Sequence, residues 1–408
     1  MKRLRSIVLV LVLLCVFAIP FFAFTGCEQA EETDDFIIYN LEDYIDEAVL
    51  DEFEEWYFEQ YGKRIKVSYN TYDTNETMLT KVVNNDAIYE RTSKFGDDFA
   101  DYFVPYMYGT LGILYNADVI EENDIDVEEA GWGLMWNTMD CEDLRGKILM
   151  KDSIRDTFAA AACYLKEQDL LPDAYADYSL EDLINCTDEE LVDAVRAVLM
   201  EQKSELKGYE VDFGKDDLIN LHAYVDLAWS GDAMYAIEEA ELYDVNLDYF
   251  VPEVGANMWF DGWFIPTCSK QVEVANAFIE FMCLPTVAAA NMIEVGYTSA
   301  IDQEVLIDDE DVIAMLEDAE YDVEEYFAWD VRYPDVHNPN YGMMADYGDA
   351  RTRMTIMWEE VKAAEPEGVM PIWQLSLIIL AAIIVFLGLV ALGAFLLQRF
   401  LRSRRYTD

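Results

Sequence analysis

The sequence predicts an α/β protein carried between two membrane-directed ends. Three observations predict it. A strand, a helix and a second strand follow one another between Phe36 and Tyr69, charge-free apolar runs stand at both ends, and the body between them is strongly acidic. At 408 residues there is room for two or three domains of ordinary size.

Lys2, Arg3 and Arg5 precede an uncharged run from Ile7 to Thr25, the layout of a secretory signal or signal anchor. Thr25-Gly26-Cys27 closes it, and a small residue before Cys makes residues 1–27 a possible lipoprotein signal, with Phe24 where Leu is usual. At the other end, Leu375 to Leu397 is 23 residues without a charge. That is long enough for a helix rising about 1.5 Å per residue to span a hydrocarbon core of about 30 Å. With Trp373 at the interface, residues 373–398 read as a transmembrane helix. Arg399, Arg402, Arg404 and Arg405 make residues 399–408 a basic cytoplasmic tail, and the N-terminal Lys and Arg residues are placed inside by the same rule. Everything between is expected on the extracytoplasmic side of the cell membrane.

Those ends hold seven of the 27 basic residues and one of the 82 acidic ones, so the body carries 20 basic against 81 acidic. So negative a surface excludes nucleic acid and attracts cations over a distance, although it serves solubility equally well. Cys141, Cys163, Cys186, Cys268 and Cys283 show no CxxC spacing; most read as buried apolar residues, with neither a disulfide framework nor a metal site.

In chain order, Glu28–Asp35 is an acidic linker and Phe36–Asn40 a buried strand, followed by a loop with Glu42, Asp43 and Tyr44. Asp46 can cap a helix in which Val49, Leu50, Phe53, Trp56 and Tyr57 recur at helical spacing; Gly62 ends it. Ile65, Val67 and Tyr69 then alternate as a strand parallel to the first. Ligands of such sheets sit beyond the carboxyl ends of strands, where residues 41–44 fall. Further helices are expected at Thr157–Gln168, Leu180–Lys203 and Asp349–Ala364.

The most informative stretch runs from Met258 to Pro266, MWFDGWFIP. Strand alternation sends Trp259, Asp261 and Trp263 to one face, and Phe260 and Phe264 to the other. A carboxylate beside flat π-faces suits an organic cation. The same residues also read as a core strand in which Asp261 starts a turn at Gly262.

Ile38–Ile45 (IYNLEDYI) and Ile65–Met78 (IKVSYNTYDTNETM) are followed in order by Val104–Asn116, Arg145–Met150, LAWSG at 227–231, the Trp259–Pro266 stretch and Val295-Gly296-Tyr297. In this order the chain, from about residue 36 to 364, resembles the periplasmic spermidine/putrescine-binding proteins of polyamine ABC transporters. The resemblance implies a two-lobe, type II periplasmic-binding-protein-like α/β fold that closes on its ligand. Lobe one would comprise residues 34–115 and 255–300, and lobe two residues 116–254 and 301–366. One departure is large. After the helix beginning near Asn75, family members carry a Tyr-Asp-Leu/Val-Val-x-Pro-Ser stretch that supplies a strand and ligand contacts. This chain has only the short polar segment 84–98 there.

By resemblance, Asp261 would be the central carboxylate for an amine, with Trp259 along the methylenes, Trp229 facing it, and Tyr297 hydrogen-bonding or stacking. Glu42 and Tyr44 match the first-loop contacts, where Leu41 replaces the usual Trp. Asp156 matches an acidic residue at a helix start, and Ser153 stands where several relatives have a second carboxylate. A last acidic contact would fall around Asp346 or Asp349. Each has a plainer reading: interfacial tyrosines, core tryptophans, or a negative charge favouring a helix N-terminus.

Enzyme readings find no support. His222 and His337 are the two histidines and form no HExxH pattern; His222, in an apolar run, reads as a core residue. There is no GxSxG elbow or P-loop, and Gly131-Trp132-Gly133 lacks the third glycine of a dinucleotide fingerprint. The favoured expectation is an extracytoplasmic receptor that delivers polyamine to an ABC permease and its cytoplasmic ATPase. It would be held at the membrane by its C-terminal helix and need no cofactor or metal. Two alternatives stay open: a repurposed binding-protein domain that no longer binds polyamine and acts as a structural or regulatory subunit, and a receptor of the same architecture for another cation.

Overall fold

The computed structural model describes residues 34–72 and 104–364, with residues 380, 381, 383–387, 390 and 393 of the C-terminal apolar run. The signal segment 1–27, most of the acidic linker, the short polar segment 84–98, Trp373 and the tail 399–408 lie outside the described residues. The chain divides into two units. Unit one runs up to Val104 and adds Trp263–Val295 and Glu304–Met315; unit two takes Pro105–Gly262, Gly296–Gln303 and the chain from Leu316.

Unit one starts with the predicted strand–helix–strand. Strand β1 (Asp34–Leu41) pairs in parallel with β2 (Ile65–Tyr72), Asp34 opposite Ile65 and Leu41 opposite Tyr72. The helix between them, α1 (Ala48–Tyr61), forms for the reasons expected. Asp46 Oδ1 accepts the Ala48 N–H at 2.9 Å, satisfying one of the donors a helix start leaves open. At the far end Gly62, with φ of 65°, turns its N–H back to the Phe58 carbonyl at 2.8 Å. The apolar stripe of α1 faces the helices Val272–Met282 and Pro285–Val295. Phe53, fully buried, lies 5.1 Å from the Phe278 ring and 5.5 Å from Phe281. Burying one such side chain is worth about 1.5–3 kcal/mol. Strand β1 is not buried on both faces as expected: Phe36, Ile38 and Asn40 point inward, while Ile37 and Tyr39 alternate outward and are exposed. Among the described residues the sheet of unit one has these two strands alone.

Unit two is built on a larger mixed sheet. Its strands are β3 (Val104–Asn116), β4 (Ile148–Lys151), β5 (Leu206–Glu210), β6 (Val225–Trp229), β7 (Leu247–Phe250), β8 (Ala256–Trp263), β9 (Thr298–Ser299) and β10 (Tyr341–Gly342). They are ordered β10-β8-β3-β6-β4-β5, with β7 and β9 also pairing β3. Strands β4, β5 and β6 are mutually parallel, so Lys151, Glu210 and Trp229 end them at the same edge of the sheet. Strand β3 runs antiparallel to β6, Leu111 opposite Trp229. The core beneath is packed by α2 (Ile154–Glu167), α3 (Leu180–Ile184), α4 (Glu189–Gln202) and by α7 (Arg351–Ala363), which follows α5 (Gly214–Ile219) and α6 (Ser230–Glu241) in the chain. Trp132 is fully buried there and donates its Nε1–H to the Gly255 carbonyl at 3.0 Å.

The continuous helix expected over 180–203 is two helices, α3 and α4. Asn185 ends the first, its N–H turned back to Glu181; its Oδ1 accepts the Ala345 N–H and its Nδ2 donates to the Met343 carbonyl. His222 is not a core residue. It is exposed, 3.2 Å from Asp217, next to Leu221 in a left-handed conformation (φ of 59°). Of the cysteines, Cys163 is buried as expected, whereas Cys268 and Cys283 are exposed. Among the described residues no single helix is long and apolar enough to cross a membrane.

Candidate functional site

Three of the predicted residues meet in unit two, and a fourth joins them through their neighbours. Trp259 and Asp261 alternate onto one face of β8, which runs on through Gly262 without the turn that a plain core strand would have placed there. Tyr297 follows Gly296, whose φ of 75° turns the chain into β9. The Trp259 and Tyr297 rings are 5.5 Å apart at 63°, an edge-to-face contact. Trp229 ends β6 and is the residue from which α6 starts.

Small residues let these rings lie directly on the backbone. A Cβ at Gly231 would fall 2.1 Å from Cγ of Tyr297, and one at Gly109 would fall 2.7 Å from Cζ2 of Trp259. Ser230 Oγ, between them in the chain, accepts the Thr110 N–H at 3.2 Å and ties the start of α6 to β3. The Tyr297 hydroxyl donates to the Asp232 carboxylate in the first turn of α6. Burial first, then Asp232 and Asp261, push the Tyr297 pKa well above the ordinary phenol value, so the group stays a neutral donor.

The remaining predicted residues have local settings. Asp156 is buried in the first turn of α2; its N–H donates to Ser153 Oγ at 3.4 Å, and that hydroxyl donates to Asp156 Oδ2 at 2.5 Å. This is a reciprocal helix cap. In unit one, Glu42 is exposed in the turn after β1, and Tyr44 is buried with its carbonyl accepting from Asn40 Nδ2 at 3.1 Å. Asp346 accepts the Gly348 N–H and is paired with Arg351.

The structure adds a charged cluster that sequence reasoning missed. Lys151, about 1% exposed, places Nζ 2.6 Å from Glu210 Oε1, 3.7 Å from Asp232 Oδ2 and 2.8 Å from the Val211 carbonyl. The same ammonium lies 4.4 Å from the centre of the Trp229 ring. Lys215 reaches Asp232 Oδ1 at 3.5 Å. Burial alone would lower the Lys151 pKa, but Glu210, Asp226 and Asp232 outweigh it and raise it. Asp226, the second residue of β6, has both carboxylate oxygens buried with no hydrogen-bond partner among the described residues. Burial, with Glu210 beside it, pushes its pKa well above the carboxylate range, which favours the neutral acid. A signal was present in the sequence: Asp226 is a charge set inside an apolar strand run, YVDLAW, where an unpaired charge would be costly.

Asp212 borders this cluster, half-buried, with its pKa raised from 3.8 to about 6 by burial and then by Asp232. For an acid raised in the folded state, stability is fully present below the unfolded pKa and is lost as pH rises through the folded one. Asp212→Asn is therefore expected to match the parent near pH 4 or below and to exceed it by about 1 kcal/mol at pH 7.5, after discounting for solvent screening. Urea unfolding at both pH values reads this; equal stability at pH 7.5 counts against it.

The sequence profile of the family described as "Bacterial extracellular solute-binding protein" matches residues 67–317. The spermidine/putrescine-binding periplasmic protein of Salmonella typhimurium is 23% identical over 305 residues, covering 66% of this chain and 78% of that protein. A putrescine-binding periplasmic protein of Pseudomonas aeruginosa is 26% identical over 305 residues, covering 65% and 77%. Among solved structures, a Listeria monocytogenes protein assigned to a spermidine/putrescine ABC transporter superposes with a TM-score of 0.63 at 25% identity, covering 82% of this chain and all of its own. The mixed α/β architecture is thus that of type II periplasmic binding proteins. A match over more than half its length, with relatives and fold in agreement, makes this chain a member of the bacterial extracellular solute-binding protein family.

Proposed function

We propose that the chain is an extracytoplasmic receptor that captures a polyamine of the spermidine/putrescine type and delivers it to an ABC transporter permease with its cytoplasmic ATPase. The observation that carries this reading is Asp261 on the same strand face as Trp259, with Tyr297 in ring contact with Trp259 and electrostatically coupled to Asp261. A linear polyamine is a string of ammonium groups joined by methylenes. It leaves water only where carboxylates supply charge-assisted hydrogen bonds and rings cover the methylenes. The names of the relatives support the same ligand class. Glu42, Tyr44, Asp156 and Trp229 belong to the proposal as further contacts, as does the division into lobe one, residues 34–115 and 255–300, and lobe two, residues 116–254 and 301–366.

The C-terminal run is part of the proposal as a membrane anchor. Its described positions are helical, and Leu380, Ile383, Ile384, Val385, Phe386, Leu387 and Val390 are exposed apolar side chains, as a helix facing lipid requires. A short tether would hold the receptor near its permease at an effective concentration on the order of mM.

Calorimetric titration of the full chain in detergent with putrescine and with spermidine at pH 7.5 tests the receptor. Saturable binding of at least one amine, one per chain, is expected; no heat and no shift in thermal unfolding with either rejects the reading. In cells the chain is expected to stay with the membrane fraction through alkaline carbonate washing, and its release would reject the anchor.

A further inference from the structure

Asp261 with Trp259 is one combination of carboxylate and ring in unit two, and it is where the proposed receptor places a ligand amine. A second combination lies at the carboxyl ends of the parallel strands, where Trp229 ends β6 and Asp232 stands one turn into α6. Tyr297 joins the two, its ring against Trp259 and its hydroxyl on Asp232. An ammonium at the second position would find what an amine ligand needs, a π-face and carboxylates.

That position already holds an ammonium, the protein's own. Lys151 Nζ is 4.4 Å from the Trp229 ring centre, donates to the Val211 carbonyl at 2.8 Å, and is paired with Glu210 at 2.6 Å and Asp232 at 3.7 Å. Lys215 takes the other oxygen of Asp232 at 3.5 Å. With Asp226 in its neutral form, two ammonium groups stand against two carboxylates, Glu210 and Asp232. At the centre of the cluster charge is matched, with the Asp212 carboxyl on its border, and the place beside Glu210 and the Trp229 ring is already taken. A second cation on the same indole would also compete with Lys151 for one π-cloud.

We propose that Lys151 is a specificity-determining residue: its ammonium fills the Trp229–Asp232 cation position from within, so the receptor takes a linear diamine in preference to a linear triamine. This rests on the polyamine-receptor reading above. Lys151 is an occupant in place of ligand, and removing its charge opens the position to a ligand ammonium.

The full chain and its Lys151→Met variant, in detergent at pH 7.5, are titrated with putrescine as the diamine and spermidine as the triamine. The parent is expected to bind putrescine at least tenfold more tightly. In Lys151→Met the triamine gains at least tenfold relative to the diamine. A parent that binds spermidine as tightly as putrescine, or more so, overturns the inference while leaving the receptor reading intact. So does a folded Lys151→Met variant whose ratio stays within twofold of the parent. A parent that binds neither amine overturns the receptor reading, and this inference with it. Stranding Glu210 could prevent Lys151→Met from folding. Lys151→Gln keeps a hydrogen-bond donor beside Glu210 without the ammonium, and the same ratio is then read on it.

Discussion

Putrescine or spermidine affinity is expected to fall by ten- to a hundredfold when Asp261 becomes Asn. The side chain keeps its size and its place on β8, between Phe260 and Gly262, but loses the charge that an amine must meet. A hydrogen bond to a charged group is worth about 1.5–3 kcal/mol, and each 1.4 kcal/mol is a factor of ten in affinity. The loss should appear as weaker binding with unchanged thermal stability. A stability change larger than the binding change would mark Asp261 as structural, and an unchanged affinity would remove it from the site. The comparison is best made with whichever amine the parent binds more tightly.

The second large effect is on stability. Arg332→Met is expected to lower the free energy of unfolding by about 3 kcal/mol, the lower end of the range for breaking a buried ion pair. Arg332 is about 2% exposed; its guanidinium donates to Glu238 Oε1 and to the Tyr326 hydroxyl, both at 2.9 Å, and lies 3.9 Å from the Tyr326 ring centre. Glu238 also accepts the Tyr321 hydroxyl at 2.7 Å and is partly open to solvent, which keeps the effect from the upper end. Adding Glu238→Gln should recover part of the loss, because the stranded charge is then gone. Urea unfolding of the parent, both single variants and the double variant reads the coupling. A single-variant loss under 1 kcal/mol would show the pair to be dispensable. The effect bears on ligand binding as well: the Arg332 carbonyl accepts from Thr298 Oγ1, next in the chain to Tyr297.

What could be read in the sequence was local or periodic. Strand β1, helix α1 and strand β2 were legible because Asp46, the Val49-to-Tyr57 stripe and Gly62 each act within a turn or two of themselves. The Trp259–Asp261 face was legible because strand alternation needs no partner. The break between α3 and α4 was hidden by an apolar periodicity that continues through Asn185, whose partners Met343 and Ala345 lie about 160 positions on. His222 was misplaced because its apolar neighbours suggest a core, whereas Leu221 turns the chain outward. Asp226 inside an apolar run hinted at a buried charge, but the partners of Lys151 were out of reach. Glu210, Trp229 and Asp232 come to Lys151 only when three parallel strands are laid side by side, and no spacing in the chain records that.

The three-segment make-up of unit one bears on the order in which the protein is made. Phe53 is fully buried, yet the rings that cover it, Phe278 and Phe281, are synthesised some 225 residues later. At about 5–20 residues per second that is roughly 11–45 s during which the apolar stripe of α1 lacks these two rings. Unit two is interposed in that interval and can assemble most of its own sheet from Pro105 to Gly262 before the missing helices emerge. The segment made first therefore waits for helices that are made only after most of the sheet of unit two.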